Sequence, residues 1–347
     1  MRENDFQSEF FIDYSSLDDF QRQLIDRKNN KAMVVCGDAG SGKSLIALHK
    51  AKQLAATGES YAIVVYTKTL EKYFADGLKA LGLTNVSHYH QWRKEKTRVK
   101  YMIVDECQDF SHEQIEEMKQ YGEICFFFGD SAQSIMSFQG PTQSVEETAL
   151  SLHVTPWPLY FNYRLTKPVA ALAEKVGDKD ELMDKCVRDG EKPNLIEANS
   201  FNAQLDEIIR IIRNGSLTNV GILMPFNTVK TGGNRSVEYV KDYFLNHNMT
   251  CEFKYNANME TEMDVDFHTS NPKIMTWWCA KGLQFKDVFI PGCDADYFEE
   301  KCSAVYVAMT RCSEHLYLGF SGELNSIFPS KDNELGLYKE IEELEEV

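Results

Sequence analysis

The stretch GDAGSGKS, residues 37–44, constrains this chain more than any other. An apolar run at residues 32–36 precedes it, and an amphipathic run with Leu45, Leu48 and Ala51 at helical spacing follows. The order predicts a strand, a glycine-rich turn and a helix. Such a turn exposes backbone N–H groups beside the positive end of the helix, which together hold phosphate. Lys43 supplies a mobile charge for the outer phosphates and the Ser44 hydroxyl a ligand for Mg²⁺. The candidate phosphate-binding residues are therefore Gly37, Ala39, Gly40, Ser41, Gly42, Lys43, Ser44 and Leu45. The plainer alternative is a strand-to-helix turn with no ligand.

Further apolar runs at residues 61–66, 101–105 and 124–130 are continuous rather than alternating, as strands covered on both faces should be. With helical patterns between them they predict an α/β fold with a parallel sheet. Pro156 and Pro158 predict a break. A second alternation follows, with strands expected at 219–226, 273–278, 287–292 and 315–320. The expected organisation is a first domain over residues 1–152, a second over 153–330 and an acidic tail over 331–347. A chain of 347 residues with 43% apolar content can bury a core in each. No apolar run is long enough to span a bilayer, so no membrane partner is expected. The nine cysteines are dispersed with no CxxC pair, which reads as reduced thiols and a cytoplasmic location. The net charge of −16 opposes long-range attraction to nucleic acid but permits a local basic track.

Two acidic elements follow later strands. In YMIVDECQDF, Asp105 and Glu106 end an apolar run; one carboxylate can hold Mg²⁺ and its neighbour can orient an attacking water. Taken alone, such a pair is a solvated loop; beside the glycine turn it reads as the other half of a nucleotide site. In FFFGDSAQSIMSFQG, Asp130 and Gln133 follow another strand, and Gln133 can sense a γ-phosphate by hydrogen bond. Phe138 is either a core aromatic or a face on which a base stacks.

GDAGSGKS, VDECQD, GDSAQSI, FNYR, TWWCAKGLQF and YVAMTR, in that order, resemble the UvrD/Rep-like group of superfamily 1 helicases across nearly the whole chain. The resemblance implies two RecA-like P-loop domains with ATP and Mg²⁺ in a cleft between them. It implies that Gln21, in LDDFQRQLI, reads the adenine and that Tyr163 stacks on it. Arg164 then contacts the γ-phosphate, Arg311 is the arginine finger, Gln284 stands near the ribose, and Gln133 couples nucleotide to strand. Tyr66, Thr67 and His90 match strand-binding segments, as do Thr276 and Trp278 in the second domain. Each of these residues also has a bland reading: the arginines as surface or ion-paired groups, the aromatics as core.

Four positions depart from the family pattern. Trp278 replaces a histidine, and indole only donates a hydrogen bond. Gln284 replaces a glutamate, Phe138 a tryptophan and Gln139 an arginine. Only fourteen residues separate His90 from Asp105, where the family commonly inserts an accessory domain, so the chain resembles a compact form without the large insertions. The resemblance implies an ATP-dependent translocase or helicase on single-stranded DNA, moving 3′→5′ and unwinding weakly alone; RNA remains open as the strand. The alternative is an ATP-operated switch acting on a protein partner such as a nuclease. If Phe138 stacks on a base, Phe138→Ala weakens single-strand binding by about 1–3 kcal/mol with little sequence preference while leaving basal ATP hydrolysis in place. Fluorescence anisotropy with labelled oligonucleotides checks this; early melting with loss of nucleotide binding would make Phe138 a core residue instead.

Overall fold

The computed structural model describes residues 10–130, 141–257, 260–332 and 335–339. The chain forms two compact units, residues 1–163 and 164–347.

The first unit is built on a parallel sheet of β1 (Met33–Gly37), β2 (Tyr61–Val65), β3 (Val86–His88), β4 (Val99–Val104), β5 (Gly122–Gly129) and β6 (Trp157–Leu159). Their order across the sheet is β3-β2-β4-β5-β1-β6. All the pairings are parallel. The apolar runs are continuous because both faces are covered. Val34, Val64, Met102, Val104 and Phe127 pack with Ile115, Met118, Val145 and Ala149 on one side. Their alternating neighbours Val35, Ile63, Ile103, Phe126 and Phe128 are also buried, so the other face is covered too.

The four strands expected in this unit form where the apolar runs predict them. Two more, β3 and β6, are too short to stand out in the sequence. The proline-marked segment does not end the first unit, which continues past residue 152 to Tyr163 because β6 pairs with β1. Pro158 is tolerated there because β6 is an edge strand, where a missing N–H costs no ladder bond.

The second unit holds β7 (Asn162–Thr166, which begins in the first unit) paired with β8 (Cys186–Arg188). Its main sheet contains β9 (Asn194–Glu197), β10 (Val220–Met224), β11 (Glu252–Ala257), β12 (Glu260–Asp264), β13 (Lys273–Thr276), β14 (Phe285–Ile290) and β15 (Cys312–Phe320). The order is β12-β11-β13-β10-β14-β15-β9. Only the β11–β12 hairpin is antiparallel. Ile222, Met224, Ile274 and Phe289 pack against Leu205, Ile208 and Ile212 of helix Phe201–Gly215 and against Val240 and Phe244 of helix Val237–Asn246. All nine cysteines are free thiols. No helix among the described residues is long and apolar enough to cross a membrane.

Helix Lys43–Ala56 carries an unusual core contact. Lys50 is 1% exposed, and its Nζ donates to Ile25 O at 2.7 Å, Arg27 O at 2.6 Å and Asn29 Oδ1 at 2.8 Å. It thereby satisfies carbonyls at the end of helix Asp19–Asp26 that have no partner within that helix. Burial lowers its pKa to about 8. From there to the ordinary lysine value the native state binds fewer protons than the unfolded chain, so this group's contribution to stability rises with pH across that window. Lys50→Met is expected to destabilise the protein by about 1–3 kcal/mol through unsatisfied acceptors. It should also flatten the rise above pH ~8 relative to the unaltered protein. Urea melts of both proteins over a pH series test both effects.

Candidate nucleotide site

The turn after β1 adopts backbone that only glycine takes without strain. Gly40 and Gly42 have φ of 81° and 93°. A Cβ on Gly42 would stand 2.4 Å from Gln21 Nε2, so a side chain there would also displace Gln21.

Every carbonyl from Gly37 to Ser41 meets a donor. Lys43 Nζ bonds Gly37 O at 2.7 Å and Asp38 O at 3.0 Å. Asn162 Nδ2 donates to Ala39 O at 2.6 Å, Tyr163 N to Gly40 O at 3.0 Å, and Gln21 Nε2 to Ser41 O at 3.1 Å. Carbonyls committed to protein donors are withdrawn as repulsive acceptors facing an anion. Lys43, 6% exposed, rests on two carbonyls that a phosphate oxygen can outcompete. Leu45 sits half-buried in the first turn of the helix.

Asp105 follows β4 and is 1% exposed. Its Oδ2 accepts from Ser44 Oγ at 2.6 Å, while its Oδ1 is buried with no hydrogen-bond partner. Burial and then the neighbouring Glu106 push its pKa up, against the Ser44 bond and Lys43. A buried carboxylate oxygen lacking a partner, next to a hydroxyl ligand, fits a hard cation such as Mg²⁺.

Glu106 adopts φ 55° and accepts from Gln108 Nε2 at 2.6 Å. Gln108 Oε1 in turn accepts from Asp130 N at 2.9 Å, so this fully buried amide ties the ends of β4 and β5 together. Gln133 and Phe138 lie outside the described residues.

Gln21 is buried beside the loop. Tyr163 reaches the same place, with its hydroxyl donating to Asp18. The two residues expected at the base are thus brought together within the first unit.

The candidate strand residues Tyr66, Thr67 and His90 follow the neighbouring strands β2 and β3 at their carboxyl ends. Tyr66 packs edge-on against Phe110 at 5.1 Å, and Thr67 Oγ1 caps the next helix by accepting from Leu70 N at 3.1 Å. His90 is exposed, whereas its neighbour His88 is anchored to Glu71 at 2.6 Å.

In the second unit, Arg164 Nε donates to Gln284 Oε1 at 3.3 Å and its NH1 to Thr310 O at 3.4 Å. Arg311, 1% exposed, donates from NH2 to Thr310 Oγ1 at 3.0 Å and from Nε to Val307 O at 2.9 Å. Both arginines therefore converge on Thr310, and Gln284 is bonded to Arg164. The Thr276 hydroxyl is turned inward, 3.1 Å from Cys279 Sγ. Trp278 is half-buried, 5.8 Å from the ring of Trp277. Trp277 is fully buried, with Nε1 donating to Leu223 O at 3.1 Å, and so belongs to the core.

Sequence reasoning passed over Asp18, Gln108 and Asn162. The D-x-x-Q pattern of Asp18 and Gln21 is a helix-start signature that could have marked the first. Asn162 carries no local signal because its partner Ala39 is distant in sequence, and the reach of Gln108 to Asp130 likewise depends on the sheet bringing β4 and β5 together.

Two domain families match the chain in the order the motifs predict: an AAA domain over residues 21–139 and a UvrD-like helicase C-terminal domain over residues 274–318. One match falls in each unit, and together they cover less than half of the chain. No curated protein matches it.

Among solved structures, the C-terminal domain of a possible DNA helicase from Lactobacillus plantarum is 17% identical with a TM-score of 0.38, covering 51% of this chain and 96% of that one. Arterivirus nonstructural protein 10, a helicase, is 15% identical with a TM-score of 0.46, covering 86% of this chain and 61% of that one. The same arterivirus helicase in complex with DNA gives 15% identity and a TM-score of 0.44, covering 86% of this chain and 62% of that one. This chain thus spans about three fifths of the viral protein's length.

Two substitutions separate binding from turnover at this site. Lys43→Ala removes the charge for the outer phosphates and is expected to weaken ATP binding and abolish hydrolysis. Glu106→Gln keeps the phosphate contacts and the Ser44–Asp105 pair, so it is expected to bind ATP with turnover reduced at least about 100-fold. Equilibrium binding alongside phosphate release distinguishes them; normal turnover in either variant would overturn the assignment.

Proposed function

We propose that this chain is a helicase-type ATPase that translocates along single-stranded DNA in the 3′→5′ direction and unwinds duplex only weakly by itself. The observation that carries the ATP half is the Asp105 carboxylate, buried beside Ser44 with one oxygen lacking a partner. In this reading Lys43 leaves the Gly37 and Asp38 carbonyls for the outer phosphates, and Ser44 with Asp105 holds Mg²⁺. Held there, the ion would supply charge neutralisation for the phosphates. Glu106, held by Gln108, accepts a proton from the attacking water. Arg164 and Arg311 stabilise charge on the transferring phosphoryl group. Gln21 and Tyr163 take the base, and Gln284, bonded to Arg164, stands toward the ribose as the family resemblance implies.

The strand half is supported by placement. Tyr66, Thr67 and His90 cluster beyond the carboxyl ends of β2 and β3, the edge at which open α/β sheets bind ligands. In the second unit Thr276 ends β13 and Trp278 follows it. The compact form, without large insertions, supports weak unwinding and a role for a partner, such as a nuclease, that adds basic surface. The second reading is an ATP-operated switch on a protein partner, favoured by the net charge of −16 and by the inward turn of the Thr276 hydroxyl.

ATP hydrolysis measured without polymer and with single-stranded DNA, RNA or duplex, over a salt series, decides between them. Translocation predicts stimulation by single strands that falls steeply with salt, and separation of short tailed duplexes at low salt only. Bound ATP without strand stimulation at low salt would establish the switch. Efficient separation of long duplex at physiological salt would show that the compact form suffices as a helicase.

A further inference from the structure

We propose that Asp18 is a positioning residue for the base end of the nucleotide: its carboxylate holds Gln21 and Tyr163 together beside the phosphate loop, and so sets the site's preference for a nucleoside triphosphate over a bare phosphate chain. The inference rests on the ATP-binding reading above.

Asp18 is the N-cap of helix Asp19–Asp26. Its Oδ1 accepts from Gln21 N at 2.7 Å, and its own N–H donates to Gln21 Oε1 at 3.3 Å. For capping alone, one side-chain oxygen is enough, and serine or asparagine serves as well as aspartate. The second oxygen has a different task, since Oδ2 accepts from the Tyr163 hydroxyl, 145 residues away in sequence.

The contacts close a ring. Gln21 Nε2 bonds Ser41 O at 3.1 Å, and Tyr163 N bonds Gly40 O at 3.0 Å. Asp18, Gln21, two adjacent loop carbonyls and Tyr163 therefore fix one another. Burial, and then the Asp18 carboxylate, raise the Tyr163 pKa, so the phenol remains a donor. A ring of charge-assisted and backbone bonds restricts the Tyr163 ring to one face beside Gly40. A ring fixed in advance costs less entropy when a flat base stacks on it. A bare phosphate chain uses the loop whose carbonyls Gln21 Nε2 and Tyr163 N hold, but it has no base to stack on the Tyr163 ring, so it gains less from this order.

The test compares ATP with inorganic tripolyphosphate, which has the phosphate chain and no base. Asp18→Ser retains a helix cap and lacks the second oxygen; Tyr163→Phe retains the ring and lacks the hydroxyl. Each is expected to raise the KM for ATP by about fivefold, the size of one lost hydrogen bond, with the inhibition constant of tripolyphosphate changed less than about twofold. Because both remove the same bond, the double variant should be no worse than the weaker single. Equal losses for ATP and tripolyphosphate would mean that Asp18 acts only through the fold of the loop, and additive losses in the double variant would mean that the two residues act separately; either overturns the inference. If Asp18→Ser does not fold, Tyr163→Phe carries the same comparison alone. A wild-type protein that binds neither compound would instead refute the ATP-binding reading, and the inference would fall with it.

Discussion

An anion can settle in a tight backbone turn only if the carbonyls of that turn face other donors. The loop after β1 meets this constraint at five consecutive residues, from Gly37 to Ser41. Two of its carbonyls are held by Lys43 and can be released, since the ammonium gains more from a phosphate oxygen than from a neutral carbonyl. The other three are held by Asn162, Tyr163 and Gln21, none of which belongs to the loop. The cradle is therefore assembled by three separate stretches of chain: the loop itself, Gln21 ahead of it, and Asn162 and Tyr163 at the start of β7.

The acidic end of β4 meets a different cost. Burying two adjacent carboxylates is unfavourable, and the fold offsets it unequally. Glu106 is held by Gln108, which is itself anchored on the backbone of Asp130. Asp105 has one hydroxyl donor and one oxygen without a partner. In the proposed reading, that asymmetry suits Glu106 to take a proton and Asp105 to hold a cation.

The second unit places two arginines around Thr310. Arg164 donates to Gln284 Oε1 and Thr310 O, and Arg311 to Val307 O and Thr310 Oγ1. Gln284, where the family pattern has a glutamate, thus bonds Arg164 directly, a contact not visible from the sequence pattern alone.

Local sequence determined much of this molecule. The apolar runs that became β1, β2, β4 and β5 are legible because a strand buried on both faces must be apolar at every position. The glycines of the phosphate turn are legible because positive φ excludes other residues, and Lys43, Ser44, Asp105 and Glu106 because their chemistry needs them beside strand ends. The family order of the motifs singled out Gln21, Tyr163, Arg164 and Arg311 as candidates. Tertiary structure alone decided the rest. Whether Pro158 ends a domain or lies in an edge strand depends on whether a neighbour needs its N–H. Whether Trp277 or Trp278 is core depends on which ring meets Leu223. The long-range contacts that hold the site, Asn162 to Ala39 and Tyr163 to Asp18, stay unmarked because a hydrogen bond spanning over a hundred residues leaves no periodicity at either end.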